Sequence, residues 1–123
     1  MPPTPILIVD DNPSNTKLLA FLLSSKGYDI RTAASADEAL AVIAQWRPRL
    51  ILMDIQLPGM DGLALTRQLK ADPATKDIAI VAATAYAMKG DEERALAAGC
   101  NGYLTKPIDT RRLPLDLERF LAS

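Results

Sequence analysis

The sequence contains no histidine and a single cysteine, Cys100. The absence of histidine excludes Ser-His-Asp and Cys-His catalysis and removes the commonest metal ligand. One cysteine cannot form an internal disulfide, and no histidine or obvious basic neighbour would activate its thiol, so we expect a small buried hydrophobic residue. Any catalytic or metal-binding chemistry in this chain therefore has to come from carboxylates.

A large net charge and long apolar runs are also missing. The formal net charge is -1, so the overall balance does not indicate binding to nucleic acid or to an anionic membrane. The segment MPPTPILIVDD lacks a basic region and reaches acidic residues after one short apolar run, so we expect no secretion signal. We expect a cytoplasmic protein with a single domain over residues 1–123, a typical length for one hydrophobic core.

Short apolar runs alternate with helix-length segments along the whole chain. The predicted strands cover residues 6–9, 29–33, 50–53, 78–83 and 102–105. Runs such as ILIV and LILM are apolar throughout, which is typical of strands covered by helices on both faces of a parallel sheet. The sequence predicts an α/β fold of this kind.

The first helix has the clearest boundaries. Asn12 is a good N-cap, Pro13 suits the first helical position, and Gly27 lies beyond the end. The spacing of the leucines predicts one buried face, formed by Leu18, Leu19, Leu22 and Leu23.

The other helices carry weaker signals. Ser35 precedes the second, the third covers about residues 63–70, and the fourth covers about residues 91–98. The fourth is rich in alanine and has few large apolar residues, so we expect it to be the most weakly packed. Asp109 is the predicted cap of the fifth helix, and Pro114 should bend or delay that helix.

Polar side chains follow four of the predicted strands: Asp10 and Asp11 after the first, Asp54 after the third, Thr84 after the fourth and Lys106 after the fifth. Because the carboxyl ends of parallel strands meet at one edge of a sheet, these residues should lie together. Each of them has an ordinary structural role when it occurs alone, as a helix cap, a loop residue or a strand terminus. Their joint occurrence favours a functional site.

The chemistry of that site follows from its charges. Three carboxylates repel one another unless a cation lies between them, and oxygen ligands without cysteine or histidine favour a hard ion such as Mg²⁺. Lys106 and Thr84 could stabilise phosphoryl oxygens. Asp54, in the middle of the group, could be a nucleophile that forms an aspartyl phosphate.

At these residues the sequence resembles the receiver domain of two-component response regulators, over essentially its whole length. The motifs are LIVDDNPSN, LILMDIQLPGMDG, the Thr84-Ala85 pair and YLTKPI. The segment TAYAMKGDEERALAAGC is similar to the stand-alone DivK-type regulators. The resemblance implies a flavodoxin-like, doubly wound sheet of five parallel strands in the order 2-1-3-4-5.

The resemblance also implies a role for individual residues. Asp54 would be the phosphoacceptor, and Asp10 and Asp11 would bind Mg²⁺ together with the backbone carbonyl of Gln56. Lys106 would contact the phosphoryl oxygens. Thr84 and Tyr103 look like the family's switch pair, since Tyr103 stands three positions before the lysine.

The function that the resemblance implies is a phosphorelay switch, not a general enzyme. A histidine kinase or histidine phosphotransfer protein would donate the phosphate, and the chain would catalyse only its own phosphoryl transfer and slow dephosphorylation. Output would reach a downstream protein through the fourth helix, fifth strand and fifth helix, whose predicted surface charges are Lys89, Arg94, Arg111 and Arg112. No nucleic-acid or membrane partner is expected.

One alternative uses related chemistry: an aspartate-nucleophile phosphatase of the haloacid dehalogenase type. Such enzymes have a D-x-D pattern, whereas this chain has Asp54-Ile55-Gln56. The cap insertion expected for substrate selection is also missing. The absence of a G-x-x-x-x-G-K-[ST] segment argues against a P-loop nucleotide enzyme.

Overall fold

The computed structural model describes residues 3–55, 57, 61–84, 90–105 and 108–122. The strands are β1 (Pro5–Val9), β2 (Asp29–Ala33), β3 (Leu50–Asp54), β4 (Ala79–Thr84) and β5 (Gly102–Thr105). The helices are α1 (Pro13–Ser25), α2 (Ala36–Gln45), α3 (Gly62–Ala71), α4 (Asp91–Ala97) and α5 (Leu113–Ala122).

The strands form one sheet in the order β2-β1-β3-β4-β5, and every neighbouring pair is parallel. Central strand β3 is buried along its whole length, as its apolar sequence LILM predicts. The predicted fold class and strand order are therefore confirmed.

A hydrophobic core covers each face of the sheet. The first core packs α1 and α5 against the sheet and contains Leu19, Leu23, Leu113 and Leu117. The second packs α2, α3 and α4 against the opposite face, with buried residues that include Ala39, Leu65 and Ala95. Alternate residues of β1 point into the two cores, Ile6 and Ile8 into the first and Leu7 and Val9 into the second.

Helix α1 begins as predicted but buries a narrower face. The Oδ1 atom of Asn12 accepts hydrogen bonds from the backbone N–H groups of Ser14 and Asn15, at 3.0 and 3.3 Å. Leu19 and Leu23 are buried, whereas 56% of Leu18 is exposed. The prediction that Leu18 packs inward was wrong, because neighbouring helical residues point about 100° apart and the sheet is contacted along the Leu19–Leu23 line.

Helix α5 begins later than predicted. The Oδ1 atom of Asp109 accepts a hydrogen bond from the backbone N–H of Arg111, so Asp109 caps a turn that precedes the helix. The helix itself starts at Leu113, with Pro114 in its first turn. Proline has no N–H to donate and is tolerated at this point, where that group would have no partner within the helix. The delay expected from Pro114 is thus confirmed, and Asp109 caps the turn that leads into the helix, since the N–H of Leu113 donates to its carbonyl at 3.0 Å.

Helix α4 has small anchors. Ala95 and Ala98 are buried, while 49% of Leu96 is exposed. Small side chains bury little apolar area. The described contacts of α4 therefore stabilise its position less than the buried leucines stabilise α1 and α5. In the described part of the chain, no helix is both long enough and apolar enough to cross a membrane.

Cys100 is buried, as predicted, with 6% of its surface exposed. Burial raises the pKa of its thiol, because a thiolate is poorly solvated there. A hydrogen bond to Thr66 and the charge of Lys70 lower the pKa, but burial has the larger effect. This thiol is therefore a packing residue and not an activated nucleophile.

Candidate functional site

Three aspartates meet at the carboxyl edge of the sheet. Asp10, Asp11 and Asp54 each contribute a carboxylate oxygen, and these oxygens all lie within 4.8 Å of one another. Asp10 is 5% exposed and Asp54 is 7% exposed, whereas Asp11 is exposed. The cluster thus has a buried floor and one side open to solvent.

The strand register brings these residues together. Val9 pairs with Met53 in neighbouring strands, so the next residues, Asp10 and Asp54, lie side by side at the carboxyl edge of the sheet. Asp10 is also fixed locally: its backbone N–H donates to the carbonyl of Ala33 at 3.0 Å, and its Oδ1 accepts from the backbone N–H of Asn12 at 2.9 Å. The local backbone therefore orients this carboxylate before any ligand arrives.

Gly62 supports the other side of the site. Its N–H donates to the carbonyl of Ile55 at 2.7 Å, which closes the connection between β3 and α3. A Cβ atom at this position would collide with the backbone carbonyl oxygen of Asp54. Only glycine permits this approach, a role that the sequence prediction missed, although Asp61-Gly62 before a helix is a recognisable turn signal.

Thr84 and Tyr103 lie on the two strands beyond β3. Thr84 ends β4, is 2% exposed and pairs with Thr105 of β5. Tyr103 is half-buried and packs against the core on the α2, α3 and α4 face. The remaining predicted site residues, Gln56 and Lys106, lie outside the described residues.

The donor set suits a hard cation. All three clustered side chains offer oxygen, and the chain has no histidine and only the buried Cys100 as a softer ligand. Such ligands fit Mg²⁺, which typically binds one or two carboxylates and keeps several waters. A cleft of about 150 Å³ opens beside Asp10 and Asp11, and its lining includes Thr16, Thr32 and Glu38. The cluster is therefore open to solvent on the side of Asp10 and Asp11.

Comparison with known families gives a match over most of the chain. The response regulator receiver domain family matches residues 6–118. The polar-differentiation response regulator DivK of Brucella anthropi is 43% identical over 119 residues, which is 97% of this chain and 97% of that protein. DivK of Brucella ovis is 43% identical over 116 residues, or 94% of each.

Solved structures show the same architecture. The receiver domain of a sensor histidine kinase from Pseudomonas aeruginosa, with a magnesium ion in its active-site cleft, is 37% identical and has a TM-score of 0.88, covering 98% of this chain and 99% of that one. The chemotaxis response regulator CheY4 of Vibrio cholerae is 28% identical with a TM-score of 0.90, covering 96% of this chain and 98% of that one. These comparisons give no support to the phosphatase alternative.

Proposed function

The chain belongs to the response regulator receiver domain family, and we propose that Asp54 is the residue on which it accepts a phosphoryl group. Receiver domains are phosphorylation-dependent switches of two-component signalling and are not generally classed as enzymes. The observation that carries the proposal is the place of Asp54, buried at the end of the central strand within reach of two further carboxylates. No other described carboxylate combines burial, a strand terminus and such neighbours, apart from Asp10 itself.

The proposed reaction is a phosphoryl transfer between two proteins. A carboxylate oxygen of Asp54 attacks the phosphorus of a phosphohistidine, so that a P–O bond forms while the P–N bond breaks. The leaving imidazole keeps the electron pair of that bond and takes a proton from solvent. Because this chain has no histidine, the donor has to be another protein, and the family implies a histidine kinase or phosphotransfer partner.

Asp10, Asp11 and Asp54 would hold Mg²⁺, with the carbonyl of Gln56 as a further ligand. The ion would neutralise charge that develops on the phosphoryl oxygens. Lys106 would add a second positive charge, and the hydroxyl of Thr84 would donate a hydrogen bond to the phosphoryl group. The mechanism thus consists of positioning and charge stabilisation around one nucleophilic carboxylate.

Replacing Asp11 by asparagine should weaken Mg²⁺ binding by at least about tenfold, since one anionic ligand is lost from a small set. Asp11 is exposed, so the substitution should leave the fold unchanged. Isothermal titration with MgCl₂ measures the affinity, and the matched control is Asp37→Asn, an exposed carboxylate in the first turn of α2. Equal Mg²⁺ affinity in wild type and Asp11→Asn would remove Asp11 from the metal site.

The donor protein needs a docking surface next to the site, and α1 offers one. This helix starts three residues after Asp10, and it exposes 56% of Leu18 and 78% of Phe21. The two side chains are three positions apart and therefore neighbours on the helix surface. Exposed large apolar side chains that adjoin a reactive site are typical of a protein-binding surface. We propose that the phosphodonor protein packs on them.

Phe21→Ser should slow phosphorylation by a phosphorylated histidine phosphotransfer protein by about tenfold or more, because a central apolar contact is lost. Phosphorylation by acetyl phosphate, which needs no docking surface, should keep its wild-type rate. Leu96→Ser is the matched control, since it removes an apolar residue that is 49% exposed on α4, which packs against the opposite face of the sheet. An equal loss of phosphorylation rate with both phosphodonors would show that Phe21→Ser disturbs the phosphorylation site and not the docking of the donor protein.

Output is proposed to occur through the surface formed by α4, β5 and α5. Leu96 on α4 and Leu115 on α5 are exposed apolar residues, and Tyr103 of β5 lies between these helices in sequence. Arg94, Arg111 and Arg112 are exposed as predicted, while Lys89 lies outside the described residues. A hydrogen bond between the Thr84 hydroxyl and the phosphoryl group would form only in the phosphorylated chain. It would therefore favour one conformation over another after phosphorylation, which is the requirement for a switch.

The double variant Leu96→Ser, Leu115→Ser should lose binding to the downstream partner by at least about tenfold, because both apolar contacts are removed. Pull-down with the beryllium fluoride-loaded chain measures this binding, and intact mass should show that Asp54 is still modified normally by acetyl phosphate. Equal recovery of partners by loaded and unloaded wild type, or specific DNA binding by the chain, would contradict this output mechanism.

A further inference from the structure

A cavity of about 250 Å³ lies at the edge of the sheet opposite the aspartate cluster. The connections into β3 and β4 and the last turn of α5 form its walls, and its lining includes Arg47, Arg49, Asp77, Ile78, Phe120 and Leu121. Strand β3 begins beside this cavity and ends at Asp54, so about 13 Å of strand separates the two places. The amino-edge cavity is therefore distinct from the phosphorylation site.

Hydrogen bonds within the chain fix the walls of the amino-edge cavity. The N–H of Arg49 donates to the carbonyl of Pro5 at 2.9 Å, and the N–H of Ala79 donates to the carbonyl of Arg49 at 3.1 Å. The carbonyl of Ile78 accepts from Nζ of Lys70 at 2.7 Å. Both strand connections are thus held in place before any ligand binds, as is usual for ligand pockets.

The apolar side of the cavity comes mainly from α5. Phe120 and Leu121 are half-buried and pack against the core that α1 and α5 form with the sheet. The ring of Phe120 lies against Gly102 of β5, where an added Cβ atom would collide with it. The ring is therefore fixed on one side by β5, and with Leu121 and the buried Ile78 it gives the cavity an apolar surface.

The charged side of the cavity has an excess of positive charge. Arg47 and Arg49 flank the buried Pro48, and neither arginine side chain donates a hydrogen bond to, or forms an ion pair with, another described residue. Among the described lining residues, Asp77 alone is acidic. Desolvation lowers the pKa of Lys70 and the charge of Asp77 opposes that shift, so Asp77 lies near a cation other than the two arginines. The two guanidinium groups are therefore available to an anion from outside the chain.

We propose that the amino-edge cavity binds a small organic carboxylate, with its charged end at Arg47 and Arg49 and its apolar body against Phe120. Guanidinium groups bind carboxylates through paired hydrogen bonds, which accounts for the choice of anion. The cavity is smaller than the about 300 Å³ at which sites for drug-sized ligands begin, so the ligand is the size of one substituted ring. The chain thus has a ligand site that does not involve Asp54.

Titration of sodium benzoate into the full chain, followed by two-dimensional NMR, tests this site. The solution contains no divalent cation, no phosphate and no other carboxylate. The amides of residues 47, 49, 77–79, 120 and 121 should shift together and saturate, with a dissociation constant of about 1 mM or below. Acetate, which has no apolar body, should bind at least about tenfold more weakly, and benzylamine, which has the opposite charge, should leave these amides unshifted.

The double variant Arg47→Gln, Arg49→Gln should lower the benzoate affinity by at least about tenfold, because both guanidinium groups are removed. The matched control is Arg67→Gln, Arg112→Gln, which removes the same charge at exposed arginines of α3 and of the turn before α5. It should keep the wild-type affinity. An equal loss in the two double variants would show attraction by net charge alone and would overturn the proposal. So would equal binding of acetate and benzoate, or benzoate shifts that do not saturate or that centre on the aspartate cluster.

Discussion

Asp54→Asn should not accept a phosphoryl group from acetyl phosphate, nor bind beryllium fluoride, under conditions that modify the wild type completely. The amide has the shape of the carboxylate but lacks the anionic oxygen that attacks phosphorus. Intact-mass measurement detects the phosphoryl group, and fluorine NMR detects the beryllium fluoride adduct. Both modifications of the wild type should require a divalent cation.

The control for this variant is Asp77→Asn, an exposed carboxylate just before β4, at the opposite edge of the sheet. It should be modified at the wild-type rate. Asp54→Asn should also remain folded, because asparagine has the same shape as the aspartate it replaces. Phosphorylation of Asp54→Asn at the wild-type rate would show that another residue is the acceptor.

The parts of the fold that depend on apolar runs were predictable from the sequence. Strands such as β1 and β3 are buried on both faces, so their composition alone indicates a central position in a parallel sheet. Once the strands are parallel, the residues that follow them share an edge. The proximity of Asp10 and Asp54 therefore follows from the sequence alone, whereas the strand order came from the family resemblance.

The features that depend on packing between elements were not predictable. The leucines of α1 fit a helical face, but which of them is buried depends on where the helix rests on the sheet, and Leu18 is mostly exposed. The three acceptors of Lys70 belong to Lys76 in a turn, to Ile78 just before β4 and to Asn101 just before β5. No local pattern connects residues so far apart in sequence.

The effect of Gly62 at the site was also not predictable from the sequence. As the first residue of α3 it reads as a poor helix former, and intrinsic propensity predicts that alanine would stabilise the helix by about 1 kcal/mol. The structure predicts instead that alanine destabilises the chain, because a Cβ atom at residue 62 would collide with the backbone of Asp54. A backbone cannot rotate away as a flexible side chain could.

Gly62→Ala should therefore destabilise the chain by about 2 kcal/mol, within the usual range for inserting a methyl group into packed structure. The connection between β3 and α3 has to shift, and Asp54 with it, so phosphorylation by acetyl phosphate should slow by about tenfold or more. Urea unfolding measures the first effect and intact-mass kinetics the second.

Gly27→Ala separates steric collision from backbone conformation. Gly27 has a φ of +93°, and a Cβ atom there would meet nothing within 4 Å. Alanine should cost about 1–2 kcal/mol because of the left-handed backbone conformation, with no effect on phosphorylation. Gly62→Ala should be the variant that loses both stability and phosphoryl acceptance, because its added methyl group presses on the acceptor residue. A gain in stability at Gly62→Ala, as helix propensity alone predicts, would show that the close approach of Gly62 does not hold Asp54 in place.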